Sequence, residues 1–186
     1  MSILFIPFPN PHNNELRNMA MTWVNHVTAD DREKVPPTIA IYGQDAAPLA
    51  NVQPNESIYV LAHGIGNADW VANTSIGAVL ISPTQLAKHL NGAGLPLGHR
   101  KLKLYICNTN GTMRAFATRV HQVLAGKYMQ IQVQYYLGSV SLPRLVPETA
   151  MYQKRSTFTG MPDPNTGFVL VNDGPGARAS AVRQTV

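Results

Sequence analysis

The sequence predicts an α/β fold, a three-layer α/β/α sandwich with a mostly parallel central sheet. Short apolar runs of strand length alternate with segments of helical period, the pattern of a layered α/β domain. Two of these runs, Ile58-Tyr59-Val60-Leu61-Ala62 and Leu102-Lys103-Leu104-Tyr105-Ile106, stop abruptly on reactive side chains, His63 and Cys107. The length, 186 residues of which 45% are hydrophobic, suits one buried core. Residues 1–173 are therefore assigned to a single α/β domain and 174–186 to a flexible basic tail.

Ser2 to Phe8 reads as a first strand, closed by the turn Pro9-Asn10-Pro11. From Asn14 to Val27, Leu16, Met19, Ala20, Trp23, Val24 and Val27 recur near helical spacing. Pro36 and Pro37 punctuate the chain before a short strand, Thr38 to Tyr42, and a polar loop through Asn55 leads to the strand that ends at His63. Asn67 to Gly77 has no clear period and reads as an irregular loop beside the site.

Ser82-Pro83-Thr84-Gln85 is a helix start. Ser82 can cap, Pro83 suits the first helical position, and Gln85 can reach back as in a capping box. That helix is expected to reach about Leu90, with Asn91 to Gly94 ending it. Leu102 to Ile106 forms the strand carrying Cys107, and Asn108 to Gly111 makes a polar turn. Met113 to Leu124 then places Phe116, Ala117, Val120, Val123 and Leu124 along one helical face, with Gly126 as its stop. Ile131 to Leu137 reads as another strand. Beyond Gly138, five prolines (Pro143, Pro147, Pro162, Pro164, Pro175) break the chain into loops, Phe168 to Val171 adds a short strand, and Gly174 to Val186 is mobile or a late edge element.

Composition removes several classes. No apolar run approaches membrane-spanning length, and Met1 to Pro11 lacks the basic start and cleavage site of a secretory signal, so the expected setting is the cytoplasm, or export without a cleavable signal. A single cysteine forms no internal disulfide. The net charge is +5 and the pI about 9.5, yet only 13% of residues are charged. The basic groups, Arg100, Lys101 and Lys103, then Lys154 and Arg155, then Arg178 and Arg183, lack interleaved aromatics, so a nucleic-acid surface is not expected. The six histidines show no metal-ligand spacing, and no phosphate loop follows Gly64-Ile65-Gly66, because Trp70 stands where a helix would open. No cofactor or metal is expected. No Gly-x-Ser-x-Gly elbow offers a serine nucleophile.

In a parallel α/β sheet the carboxyl ends of neighbouring strands lie along one edge, where ligands bind. Two strands ending at His63 and Cys107 would meet there, and a thiol near an imidazole is the minimum constellation for cysteine nucleophilic catalysis. A helix starting near Gly111 or Thr112 would turn its positive end toward Cys107 and favour the thiolate. Its N–H groups, with those around Gly64, would hold an oxyanion. Gly64 would let a substrate carbonyl approach the backbone. Asn108 and Thr109 either orient the thiol or cap the following helix. Asp69 either orients His63 or is a solvated loop charge.

Tyr59-Val60-Leu61-Ala62-His63-Gly64 with Leu104-Tyr105-Ile106-Cys107-Asn108 resembles the caspase-like, clan CD cysteine peptidases over roughly Thr38 to Leu142. In that superfamily one strand ends in His-Gly and a later parallel strand in the nucleophilic Cys. The 44-residue separation of His63 and Cys107 is similar to the spacing of about fifty in caspases. The caspase Gln-Ala-Cys-Arg-Gly signature is absent, so the resemblance does not imply specificity for aspartate. The helix from Ser82 and the Asn108-Thr109-Asn110-Gly111 turn are similar to the self-processing peptidases of RTX and clostridial toxins.

The resemblance implies a His63–Cys107 dyad, His63 protonating the leaving amine and Cys107 attacking the carbonyl. It also implies a substrate cleft along Gly138-Ser139-Val140-Ser141-Leu142, with Arg144 as a pocket residue. A small polyanion activator, inositol hexakisphosphate in the toxin branch, needs many basic residues, and Arg100, Lys101, Lys103, Lys154 and Arg155 are few and dispersed for that role. The expected function is a cysteine peptidase acting on a peptide or protein, in a bacterial effector or toxin setting. The alternatives are a catalytically inactive caspase-like module binding a partner through Gly138 to Tyr152, and a thiol-dependent glutamine deamidase or acyltransferase.

Overall fold

The computed structural model describes residues 2–28, 35–107, 111–146, 151–156 and 177–186. Six strands form the central sheet: β1 (Ser2–Ile6), β2 (Thr38–Ile41), β3 (Ser57–Leu61), β7 (Lys101–Tyr105), β8 (Gln132–Tyr136) and β13 (Arg183–Thr185). Their spatial order is β13-β8-β7-β3-β1-β2, parallel throughout except for β13, which runs antiparallel to β8. The chain is thus the mixed α/β architecture that its alternating pattern predicts. Helix α1 (Asn14–Thr28) joins β1 to β2, α2 (Pro83–Gly92) lies between β3 and β7, and α3 (Met113–Ala125) joins β7 to β8.

From β1 the chain moves outward to β2, then returns across β1 to β3 and proceeds the other way through β7 and β8. Right-handed crossovers in opposite directions put α1 on one face and α2 with α3 on the other. Side chains agree. Trp23 of α1 meets the rings of Tyr59 and Tyr105 edge-on at 5.1 and 4.8 Å, so residues 59, 61, 103, 105 and 136 line the α1 face. Ile58, Val60, Leu102, Leu104 and Val133, each wholly buried, line the other, where α3 rests on β8.

Local chemistry accounts for the helices. Ser82 accepts from the Gln85 N–H and the Gln85 side chain accepts from the Ser82 N–H, the complete capping box, with Pro83 at the first position. Helix α3 buries Met113, Phe116, Ala117, Val120 and Leu124 and ends on Gly126. Val123, expected on that buried face, is 44% exposed instead, because it sits at the margin of the stripe.

Three departures from the sequence reading bear on function. The strand expected to end at His63 leaves the main sheet after Leu61, and His63–Gly64 (β4) pairs antiparallel with Val71–Ala72 (β5), which pairs with Leu80–Ile81 (β6). The stretch 67–77 is therefore not wholly irregular: two of its residues form the middle of a small sheet. The tail supplies β13, whose ladder continues into the Val186 N–H bonding to Val133 O at 3.0 Å, so of mobile end and edge element the described residues 183–186 are the latter.

After β8 the described residues form two small antiparallel strand pairs, β9 (Arg144–Val146) with β10 (Met151–Gln153) and β11 (Arg155–Ser156) with β12 (Ala177–Arg178). A 3-10 turn at Ala179–Val182 leads into β13. The strand expected at Phe168 to Val171 lies outside the described residues.

Candidate active site

Strands β3 and β7 are neighbours whose last registered pair is Leu61↔Tyr105. Two residues further along each lie His63 and Cys107; His63 meets Glu15 of α1, and Cys107 meets Val140 beside the Tyr105–Ser141 contact, so both lie on the α1 side. The structure brings the two predicted residues together at the carboxyl edge of the sheet. Gly64 measures how closely: a Cβ built there would lie 1.9 Å from the carbonyl oxygen of Cys107 and 3.0 Å from its carbonyl carbon. The glycine is required by the chain's own Cys107 backbone, where the sequence suggested room for a substrate carbonyl.

His63 is half-buried, and its Nε2 lies 2.9 Å from Oε1 of Glu15, in the first turn of α1. That is ion-pair distance, but the carboxylate lies off the line of a hydrogen bond, and Nε2 is buried with no aligned partner among the described residues. A buried polar atom without a hydrogen bond is uncommon and calls for an explanation, of which a catalytic role is one. Glu15 reaches His63 because strand order reverses between β1 and β3, and the helix leaving β1 starts in the crevice at that switch point. Sequence reading missed Glu15. The available signal was its position, an acid in the first turn of a helix following a strand that ends on the same edge. Asp69, the alternative considered for orienting His63, is an exposed loop charge that pairs with Arg119.

The Cys107 thiol is partly buried, and its S–H donates to Val140 O at 3.9 Å. Tyr105 O–H donates to Ser141 O at 2.5 Å. Burial, with smaller contributions from Tyr136, Tyr59 and Cys107, pushes the Tyr105 phenol far above the ordinary range, so it stays a donor. The segment predicted as substrate cleft is thus seated directly over the thiol. Gly138, buried at a φ of 71°, turns the chain out of β8, and Ser139 follows at the surface margin.

Ser141 is committed elsewhere: its N–H donates to Arg155 O at 2.9 Å and its hydroxyl accepts from the Arg155 N–H at 3.2 Å. Val140 bridges antiparallel to Ser156, whose hydroxyl donates to Leu137 O. Arg144 opens β9, its backbone opposite Gln153. Asn108 and Thr109 lie outside the described residues.

The dispersed basic residues partly converge. Lys103 Nζ donates to Ser57 Oγ at 2.8 Å and to Tyr59 O–H at 3.2 Å, and Lys154 Nζ donates to the same phenol at 2.9 Å. The Lys154 ammonium stands 4.2 Å from the ring centre of Tyr59 and 4.7 Å from that of Trp23. Burial pulls the Lys103 amine down, and Arg183 and Lys154 pull it in the same sense. Arg100, Lys101 and Arg178 are exposed and take no part in this cluster.

Among the described residues, no group of three His, Cys, Asp or Glu side chains could hold a metal ion, and no helix is long and apolar enough to cross a membrane. No protein-family model matches the chain, and no curated protein matches it.

Proposed function

We propose that the chain is a cysteine peptidase of the caspase-like type, working by a His63–Cys107 dyad with Glu15 as a positioning carboxylate. The observation that supports this best is the adjacency of the His63-Gly64 and Cys107 backbones at the sheet's carboxyl edge, with Gly64 against the Cys107 carbonyl.

The Cys107 thiolate attacks the scissile carbonyl, forming a C–S bond and an oxyanion. Collapse of that intermediate breaks the C–N bond as the His63 imidazolium gives its proton to the leaving amine. Water then adds to the thioester, His63 takes its proton, and Cys107 leaves with the acid product released. Glu15, 2.9 Å from Nε2, holds the ring and balances the imidazolium between these steps. The Gly138 to Leu142 segment lies where the acyl half of the substrate would run.

The test is the alkylation rate of Cys107 by iodoacetamide near neutral pH, in the native chain and in His63→Ala. The expected result is a rate well above that of the unfolded chain and a fall on loss of His63. A thiol that reacts only on unfolding would refute the enzyme reading.

It would also favour the second reading, an inactive caspase-like binding module, which has its own support in the S–H donation to Val140. Product mass separates peptidase from glutamine deamidase, since hydrolysis of a side-chain amide leaves the backbone intact. Inositol hexakisphosphate belongs in the same assay, because Lys103, Lys154 and Arg183 gather around Tyr59 and Tyr136. The setting consistent with this reading is a bacterial effector or toxin component acting in a cytoplasm.

A further inference from the structure

Along the exposed face of α3 run two shallow depressions of about 490 Å³ each, one against the start of α2 and the loop carrying Trp70, the other lined by α3 and Gly111 alone. They share Arg119 and Gln122 and so form one groove. One end is lined by Gly111 and Arg114, the other by Trp70, Pro83 and Val123. We propose that this groove receives the leaving side of an acidic substrate peptide, with its carboxylates on Arg114 and Arg119 and an apolar side chain on Trp70, an inference that rests on the peptidase reading above.

Both ends of the groove continue from the candidate dyad. Gly111 follows Cys107 by four positions, at most about 14 Å of chain. Gly64 is registered with Val71, so Trp70 directly precedes the small sheet that carries His63. The Gly138 to Leu142 segment lies on the β8 side of the thiol, and Trp70 on the opposite, His63 side. A peptide whose acyl half runs past Val140 therefore leaves past His63, crosses the sheet edge and enters the groove. Along α3, Gly111 to Gln122 spans about 16 Å, room for roughly five extended residues.

The chemistry of the lining selects the peptide. Asp69 is the one carboxylate among the described lining residues, and it is paired with Arg119. Arg114 is exposed, and no acid lines its end of the groove among the described residues. An incoming carboxylate meets Arg114 directly and competes with Asp69 for Arg119. Trp70 is 38% exposed, whereas Trp23, the other tryptophan, is buried.

The test uses the full chain carrying Cys107→Ala, so that binding is read without turnover. Fluorescein-labelled peptides of ten residues, alternating Glu with Leu or Lys with Leu, are titrated by fluorescence anisotropy. The acidic peptide should bind at least about tenfold more tightly at low salt. Arg114→Glu should weaken it by a similar factor, with the difference shrinking at high salt. Asp69→Asn should tighten it by freeing Arg119. In the chain retaining both tryptophans, the peptide should protect the exposed fraction of emission from acrylamide quenching, a readout that needs no substitution in the groove.

Equal affinity for the two peptides, indifference to Arg114→Glu, or tighter binding of inorganic pyrophosphate than of the acidic peptide would overturn the proposal. Acidic-peptide binding beside an inert Cys107 in the parent chain would keep the groove and remove the peptidase reading. A reactive Cys107 with no peptide binding would do the reverse.

Discussion

Replacing Gly64 with Ala tests the juxtaposition of the two candidate residues directly. The added Cβ would sit 1.9 Å from Cys107 O, whereas ordinary contact begins near 3.4 Å, so β4 and the end of β7 must part by about 1.5 Å. The opposing atoms are backbone, and no side chain can swing aside to relieve the overlap. Gly64 is not at a positive φ, so the whole effect is steric. Overpacking in a closed interior costs about 1–3 kcal/mol, and this clash belongs at the upper end. With a urea m-value of about 2 kcal/mol per molar, the midpoint should fall by roughly 1.5 M.

Function should suffer more, because misplacing a reacting group by about 1 Å can cost about a hundredfold in rate. Chemical denaturation reads the first quantity, and the Cys107 alkylation rate, followed by turnover once a substrate is known, reads the second. Gly126→Ala is the control: nothing lies within 4 Å of its built Cβ and its φ is −62°, so it should stabilise by about 0.4–1 kcal/mol. A Gly64→Ala chain within about 0.5 kcal/mol of the parent, with unchanged thiol reactivity, would refute the contact.

Glu15→Gln keeps the size of the side chain but removes the charge beside His63; turnover should fall about tenfold or more with KM little changed, partial recovery should follow Glu15→Asp, and an unaltered pH–rate profile would count against positioning. His99 is wholly buried, and that burial, outweighing hydrogen bonding to Lys101, lowers its imidazole below the ordinary 6.5. The folded chain then binds fewer protons than the unfolded one, so stability held above about pH 6.5 should drain away as pH drops toward the folded value, and urea midpoints between pH 7.5 and 5 should change less in His99→Asn. Ser82→Ala removes the cap of α2 and should cost about 1 kcal/mol by denaturation, leaving thiol reactivity unchanged.

Most of the fold was legible because its signals are local. The apolar run before His63 could only be a buried strand, the Ser82-Pro83-Thr84-Gln85 box specified where α2 begins, and the stripe from Met113 to Leu124 specified α3. The adjacency of His63 and Cys107 was legible as well, since each follows a strand and parallel strands end together. What escaped was local geometry without a period. Two-residue strands such as Val71–Ala72 are too short to show alternation, and the departure of His63–Gly64 from the main sheet depends on pairing with residues nine and seven positions away.

The sequence by itself determined the alternation of strands and helices, the edge on which His63 and Cys107 emerge, and the absence of any competing nucleophile elbow or metal-ligand spacing. Only the tertiary structure decided who their neighbours are. Strand order put α1 in the crevice beside β3, and so Glu15 against His63; the chain beyond β8 folded back to lay Val140 over the thiol; Lys103 and Lys154, far apart in sequence, came to share one phenol. Periodicity tells which face a residue takes, and that is a property of neighbours along the chain. Which faces meet depends on the lateral order of strands, set by burying the whole core at once, and no local pattern encodes it.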